Sequence, residues 1–247
     1  LTKNTQPAIM TVSYSIFKVL SEEFNFNFNS FKFFAGHSLG EYSALVSSGG
    51  LELNDAFYLL HERGKAMQEA VPIGKGSMIA ILGARIEKIK EILEKNENEG
   101  ICEIANDNAD GQVIISGDKD TVNEFNLLIK KERIKSIPLK VSAPFHCSLM
   151  KKAAIVMEDK INNTIFEKPE VEIISNVTAE IEKNPENIKK LLVKQIYSTV
   201  QWRQSLIKIF NEGSTKFVEI GPGKALTGMV KRTIKNANCF SINSIAD

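Results

Sequence analysis

A serine flanked by glycines, in the stretch Gly36-His-Ser-Leu-Gly40, constrains this chain more than any other feature. The stretch fits the pattern Gly-x-Ser-x-Gly. It follows an apolar run (31–35) that predicts a buried strand, and residues 41–48 after it predict a helix. Strand, tight turn and helix together predict a nucleophile elbow, in which flanking glycines remove Cβ atoms that would clash with a strained serine. Ser38 is therefore the candidate nucleophile, and the Leu39 amide is a candidate oxyanion donor. The alternative is a Gly-rich connection with an incidental serine.

Composition excludes several classes of function. The chain has 31 basic and 30 acidic residues, which gives no electrostatic argument for binding nucleic acid or an anionic membrane. No apolar run approaches the ~20 residues that span a bilayer. Cys102, Cys147 and Cys239 lack paired metal-ligand spacing, so we expect a reducing compartment, the cytoplasm, and no metal. Because the chain begins with Leu1 rather than Met, we also expect that a first segment is missing.

The order of predicted elements indicates an α/β protein with two parts. Residues 1–73 and 141–247 alternate helix and strand patterns, which predicts a mostly parallel sheet covered by helices. Residues 74–140 predict the order β-α-β-β-α-β of a ferredoxin-like unit, inserted into the larger part as a small subdomain. Within it, we expect 106–111 to form a hairpin-like turn.

Two polar side chains are predicted to lie on apolar helix faces. Arg63 shares a stripe with Leu59, Leu60 and Met67 in a helix that we expect to begin near Asn54. A buried guanidinium costs several kcal/mol unless it meets an anion, although an Arg can also snorkel outward or close a structural ion pair. Gln195 faces inward in a second predicted helix (185–198) and should have a hydrogen-bond partner.

His146 is the candidate general base. It follows Pro144 and precedes a predicted helix that ends near Ile161. The positive end of a helix disfavours the imidazolium form, and a neutral imidazole is what a general base requires. A structural histidine is the alternative. His37 lies beside the candidate nucleophile, and His61 lies within a predicted helix.

Motifs along the whole chain resemble one known family. The stretches that carry the resemblance, in family order, are Thr5-Gln-Pro-Ala8, Gly36-His-Ser-Leu-Gly-Glu-Tyr42, Arg63-Gly-Lys65 with Met67-Gln68, Asn106 to Gln112, Pro144-Phe-His-Cys-Ser-Leu-Met150, Gln195 with Val200-Gln-Trp202, and Gly221-Pro-Gly-Lys-Ala-Leu-Thr-Gly228. They resemble the malonyl-CoA:acyl carrier protein transacylases of fatty acid synthesis and the related acyltransferase domains of polyketide synthases.

The resemblance implies a fold and a set of site residues. The fold would be an α/β-hydrolase-like core with a ferredoxin-like insertion. By position, the resemblance makes Ser38 the acyl nucleophile, His146 its base and Arg63 the partner of the substrate's free carboxylate. It also implies that Gln195 orients the histidine through its backbone carbonyl. Asn106 and Asn108 would lie where the small subdomain (74–140), as a lid, faces the active-site cleft. Gln6 would lie near the pocket for the acyl group. One family feature is absent from this sequence: an N-terminal Gly-Gln-Gly turn whose glutamine amide supplies a second oxyanion donor. If this were the whole polypeptide, we would expect little activity.

The predicted reaction moves a malonyl group from coenzyme A to the phosphopantetheine thiol of acyl carrier protein, through an ester on Ser38. No cofactor is expected, since coenzyme A is a substrate and phosphopantetheine belongs to the partner. We expect a monomer that binds neither nucleic acid nor membrane.

Three alternatives stay open at this point. They are a polyketide-type acyltransferase, a serine esterase or thioesterase, and a carrier-docking module without activity. The hydrolase would need an acidic residue between Ser38 and His146 in the chain, for which the candidates are Asp55, Asp107, Asp118 and Asp120.

Overall fold

The computed structural model describes residues 2–95 and 99–244. The helices are α1 (Thr2–Glu22), α2 (Gly40–Ser47), α3 (Leu53–Glu69), α4 (Ile86–Glu94), α5 (Lys119–Lys131), α6 (Lys151–Asn162), α7 (Pro185–Gln195), α8 (Trp202–Asn211) and α9 (Ala225–Thr233). The strands are β1 (Phe33–Phe34), β2 (Gly76–Leu82), β3 (Cys102–Ala109), β4 (Gln112–Asp118), β5 (Lys135–Pro138), β6 (Glu172–Ile174), β7 (Ile181–Glu182), β8 (Lys216–Ile220) and β9 (Asn238–Ile242). Short 3-10 helices lie at Phe28–Ser30 and Ser148–Met150.

The fold is mixed α/β, as the sequence predicts. Outside 74–140, the described strands form two separate sheets: β1 pairs parallel with β6, β6 pairs antiparallel with β7, and β8 pairs parallel with β9. The sequence predicts one mostly parallel sheet here. The β1 ladder covers only Phe33 and Phe34, because the chain then turns into the elbow and side-chain hydrogen bonds from Asn176 replace the backbone pairing.

The largest described apolar cluster lies between the first sheet and the helices that pack around it. Residues of α1, α2, α3, α6 and α7 share one apolar cluster, which includes Met10, Leu45, Leu59 and Met157. Helix α1 begins at Thr2 and contains Pro7 in its second turn. Proline lacks only its own N–H, and near the beginning of a helix this removes a single hydrogen bond. Within the described residues, no helix is long and apolar enough to cross a membrane.

The second sheet contains β2 to β5 in the antiparallel order β3-β4-β2-β5. The predicted order β-α-β-β-α-β is observed in this stretch. Helices α4 and α5 cover one face of the sheet, and their apolar stripes share a cluster with Ile79, Ile81 and Ile115. Burial of each large aliphatic side chain contributes about 1.5–3 kcal/mol, so this sheet has an apolar core of its own.

The predicted turn at 106–111 is wrong for most of its length. Strand β3 continues to Ala109, and the turn is confined to Asp110 and Gly111, where glycine adopts a φ of 70°. The strand is longer because its free edge is paired: the Asp107 amide donates to the Val200 carbonyl at 3.0 Å, and the Val200 amide donates to the Ala105 carbonyl at 2.9 Å. These bonds join the second sheet to the segment before α8.

Candidate active site

The elbow places Ser38 in a strained backbone conformation between β1 and α2. Its φ of 54° lies in the left-handed region, which is uncommon for a residue with a side chain. A Cβ atom added to Gly36 would lie 1.9 Å from the Gly40 carbonyl oxygen, so the turn requires a glycine there. At Gly40 an added Cβ would meet no atom within 4 Å. The expectation that both glycines relieve a clash is therefore wrong for Gly40.

Asn176 fixes the elbow from the neighbouring strand. Its Oδ1 accepts a hydrogen bond from the Ser38 amide at 2.6 Å, and its Nδ2 donates to the Gly36 carbonyl at 2.8 Å. Asn176 follows β6, the parallel neighbour of β1, so both strands end at the same edge of the sheet. Our reading of the sequence missed this residue. The signal was a polar residue two positions after an apolar strand.

Ser38 and His146 form a hydrogen-bonded dyad. Ser38 Oγ lies 2.7 Å from His146 Nε2. On the other side of the ring, Nδ1 lies 2.8 Å from the backbone carbonyl oxygen of Gln195. A carbonyl can only accept, so Nδ1 carries the proton and Nε2 is free to take the serine proton. The prediction that Gln195 meets the histidine through its backbone matches this contact.

The electrostatics keep His146 neutral. Burial, followed by the charge of Arg63, lowers the pKa of the imidazole to about 3. The four candidate acids do not contact His146 in the described residues. Asp107 instead pairs with Arg203 at 2.9 Å, and Asp118 accepts from the Ile101 amide at 2.8 Å. The His146 ring is thus oriented by an amide carbonyl and not by a carboxylate.

Arg63 reaches the nucleophile from α3. The side chain is only 1% exposed, which excludes the snorkelling alternative. Its Nη1 donates to Gln6 Oε1 at 2.6 Å, and its Nη2 donates to Gln195 Oε1 at 2.8 Å and to Ser38 Oγ at 3.0 Å. In the part of the chain that the structure describes, no carboxylate forms a salt bridge with Arg63, and its Nε has no partner. The guanidinium therefore carries a charge that a carboxylate ligand can pair.

Gln195 connects these groups. The residue is fully buried, and its Nε2 donates to the Ser38 carbonyl at 3.0 Å and to Glu41 Oε2 at 2.7 Å. Glu41 is a second site residue that our reading of the sequence missed. It lies in the first turn of α2, and an acidic residue just before the apolar Ala44, Leu45 and Val46 was the signal in the sequence.

The remaining predicted residues lie around this centre. Among residues 2–95 and 99–244, the Leu39 amide has no hydrogen-bond acceptor and is free for an oxyanion. Asn108 Oδ1 accepts from His37 Nε2 at 2.8 Å, so Asn108 reaches the residue beside the nucleophile. Asn106 is buried and lies opposite Val200, but its side chain makes no hydrogen bond to the dyad or to Arg63 in the described structure. Nor does the described chain contain a cluster of His, Cys, Asp and Glu residues arranged to hold a metal ion.

Comparison with known proteins identifies relatives of this chain. The family model of the acyl transferase domain matches residues 1–246. The malonyl CoA-acyl carrier protein transacylase of Bacillus subtilis is 41% identical over 245 residues, which are 98% of this chain and 76% of that protein. The corresponding protein of Escherichia coli K12 is 38% identical over 243 residues, covering 98% of this chain and 78% of its own length.

Solved structures show the same similarity. The acyl-carrier-protein S-malonyltransferase of Bartonella henselae superimposes with a TM-score of 0.96 at 40% identity and covers 100% of this chain and 79% of its own. A malonyl-transacylase in complex with its type II PKS acyl-carrier protein gives a TM-score of 0.95 at 37% identity, over 99% of this chain and 79% of that one.

Proposed function

This chain belongs to the acyl transferase domain family, and on that premise we propose that it transfers malonyl groups from coenzyme A to the phosphopantetheine thiol of an acyl carrier protein, in fatty acid biosynthesis. It is an acyltransferase with a serine nucleophile. The observation that carries the proposal is the position of Ser38 Oγ, between a neutral base at 2.7 Å and a buried guanidinium at 3.0 Å. The first group suits acyl transfer, and the second suits an acyl group that carries a carboxylate.

In the first half-reaction, Ser38 Oγ attacks the malonyl thioester carbonyl while His146 Nε2 accepts the hydroxyl proton. The Leu39 amide and the positive end of α2 stabilise the oxyanion that forms. When the C–S bond breaks, His146 returns its proton to the thiolate of coenzyme A. The malonyl group is then an ester on Ser38.

The second half-reaction runs the same steps in reverse with a different thiol. His146 Nε2 takes the proton of the carrier's phosphopantetheine thiol as its sulfur attacks the Ser38 ester. Collapse of the second oxyanion releases the malonyl thioester, and His146 returns the proton to Ser38 Oγ. Both donor and acceptor present a thiol, so one base can serve both steps.

Arg63 explains why a malonyl group is preferred. Burial is the main cause of the low pKa of His146, and a carboxylate that pairs with the guanidinium offsets the second cause, the charge of Arg63. The malonyl group therefore helps to activate the base that transfers it. An acetyl group leaves the guanidinium unpaired, and sites built around a polar partner reject such substrates by ~10⁴-fold or more.

We infer the finer architecture from the same family membership. Residues 1–73 and 141–247 would form the α/β-hydrolase-like core, and residues 74–140 a ferredoxin-like subdomain. The separate antiparallel sheet and its own apolar cluster support this division. The cytoplasmic location, the monomeric state and the lack of a cofactor stay predictions.

Mass spectrometry of the intact protein after incubation with malonyl-CoA tests the proposed function. We expect the mass to increase by one malonyl group, and peptide mapping to place that group on Ser38. The Ser38→Ala variant should carry none. An unlabelled wild-type protein, or a variant that labels equally, would contradict the assignment. Rapid release of free malonate without a carrier would favour the hydrolase alternative.

A further inference from the structure

Glu41 is a buried carboxylate that the mechanism above does not use. It lies in the first turn of α2 and is 3% exposed. Its Oε2 accepts two hydrogen bonds, from Gln195 Nε2 at 2.7 Å and from the Asn176 amide at 3.2 Å. One bond holds the residue that orients His146, and the other holds the residue that fixes the elbow.

A single amide separates Glu41 from Arg63. Arg63 Nη2 donates to Gln195 Oε1 at 2.8 Å, and Gln195 Nε2 in turn donates to Glu41 Oε2 at 2.7 Å. A cation and an anion thus polarise one buried amide from its two ends, and in a medium of low dielectric such a chain is strengthened. The amide can satisfy both partners in only one of its two orientations.

The charged surroundings of Glu41 are simple. In the described residues, the titratable groups that act on it are Arg63, from α3, and the Tyr42 phenol, from its own helix. Burial raises the pKa of Tyr42 to about 12, so the phenol is neutral. Helix α7 and the segment after β6 contribute the amides of Gln195 and Asn176. Arg63 and Glu41 therefore give this part of the chain one positive and one negative charge when Glu41 is ionised.

We propose that Glu41 is a positioning residue and the internal counter-charge of Arg63: it holds Gln195 between the base and the guanidinium, and it takes up a proton from solvent when a substrate carboxylate pairs with Arg63. The proposal rests on the proposed function, since it requires an anionic acyl group. A second carboxylate beside one guanidinium leaves a net negative charge among buried groups, and protonation of Glu41 removes it.

The protonation properties of Glu41 support this geometry. Burial is the largest influence and raises the pKa of its carboxyl to about 7, against the opposing effects of Gln195, Asn176 and Arg63. A single added charge beside Glu41 can therefore shift its protonation near neutral pH. Acyl transfer from coenzyme A to Ser38 takes up no proton in itself as long as the released thiol stays protonated. Proton uptake is then a signature of Glu41.

The test measures KM and kcat for malonyl-CoA and acetyl-CoA between about pH 6 and about pH 8.5 in the wild-type protein. We expect KM for malonyl-CoA to rise about tenfold across this range as Glu41 ionises, and KM for acetyl-CoA to stay constant. In Glu41→Gln the rise should disappear, while kcat falls by about 3–10-fold. Glu41→Leu removes the acceptor of one Gln195 Nε2 hydrogen bond and of the Asn176 backbone amide, and it should lower kcat at least about 30-fold. Glu186→Gln, an exposed change on α7, should keep the wild-type profile.

A second measurement needs no variant. A pH indicator should report uptake of a fraction of a proton when the wild-type protein is malonylated at about pH 7, and none with acetyl-CoA. The same KM profile in the wild type and in Glu41→Gln, or equal proton uptake with the two acyl groups, would overturn the inference. Absence of any Ser38 label would instead refute the proposed function, so the two failures are distinct.

Discussion

The active site and the four-stranded sheet of β2 to β5 differ in the kind of side chain that they bury. The sheet buries aliphatic residues such as Ile79, Ile81 and Ile115, each at most 1% exposed, in a cluster without charge. The active site buries the charged side chains of Arg63 and Glu41, at 1% and 3% exposure. Burial of charge costs free energy even when it is hydrogen-bonded. The second sheet therefore buries apolar side chains alone, whereas the active site buries charged side chains beside an apolar cluster of its own.

The largest expected effect is on acyl selectivity and follows from Arg63→Ala. We expect malonyl transfer to fall at least about 10³-fold and acetyl transfer to be partly retained, because only the malonyl group has a carboxylate for the guanidinium. Rates of Ser38 acylation with the two thioesters measure this ratio. As a control, Arg203→Ala breaks the ion pair with Asp107 and should change both rates by the same factor. Equal loss of both activities in Arg63→Ala would mean that Arg63 is structural.

The opposite region should respond to truncation in stability and not in chemistry. Ile115→Ala removes a fully buried side chain from the centre of the second sheet and should lower the free energy of unfolding by about 2–5 kcal/mol. Denaturant unfolding measures the loss, and kcat at a temperature well below the transition should change less than about threefold. Ile137→Ala on the same sheet is the control, because that side chain is 43% exposed and its loss should cost less than about 0.5 kcal/mol. A collapse of kcat in Ile115→Ala would show that the regions are not separable.

In the elbow, a backbone clash determines which residue can stand at position 36. Gly36→Ala places a Cβ atom 1.9 Å from the Gly40 carbonyl oxygen, so the turn must open, and we expect a loss of about 2–3 kcal/mol together with weaker acylation. Gly40→Ala is the matched control: its Cβ meets nothing within 4 Å, and alanine favours the helix by up to ~1 kcal/mol. Thermal unfolding of the two variants compares them directly. Equal destabilisation would refute this account of the motif.

The sequence predicted features that depend on local patterns, and it did not predict features that depend on contacts between residues far apart in the chain. Periodic apolar residues gave the order of elements in 74–140, and the Gly-x-Ser-x-Gly stretch gave the elbow, because both signals are local. Asn176 and Glu41 escaped prediction because their roles exist only in contacts with Ser38 and Gln195, which are 138 and 154 positions away in the chain. The continuation of β3 to Ala109 was missed for the same reason, since its partner is Val200. Arg63 and Gln195 were found because a polar residue on an apolar stripe is itself a local anomaly.

The smallest expected effect concerns the pH dependence of stability and compares the wild type with Glu41→Gln. Burial raises the pKa of Glu41 to about 7 in the folded protein, above its ordinary value of 4.5. Folding therefore favours the protonated carboxyl, and the stability that the neutral form contributes is complete below about pH 4.5 and is lost as pH rises through about 7. We expect the wild type to lose on the order of 1–3 kcal/mol relative to Glu41→Gln across that window. Denaturant unfolding at about one-unit pH steps measures the difference. A buried aliphatic core has no such pH dependence. If the difference in the free energy of unfolding between the two proteins stayed constant with pH, Glu41 would act as passive packing, like the side chains of the second sheet, and not as an ionised member of the network around Ser38.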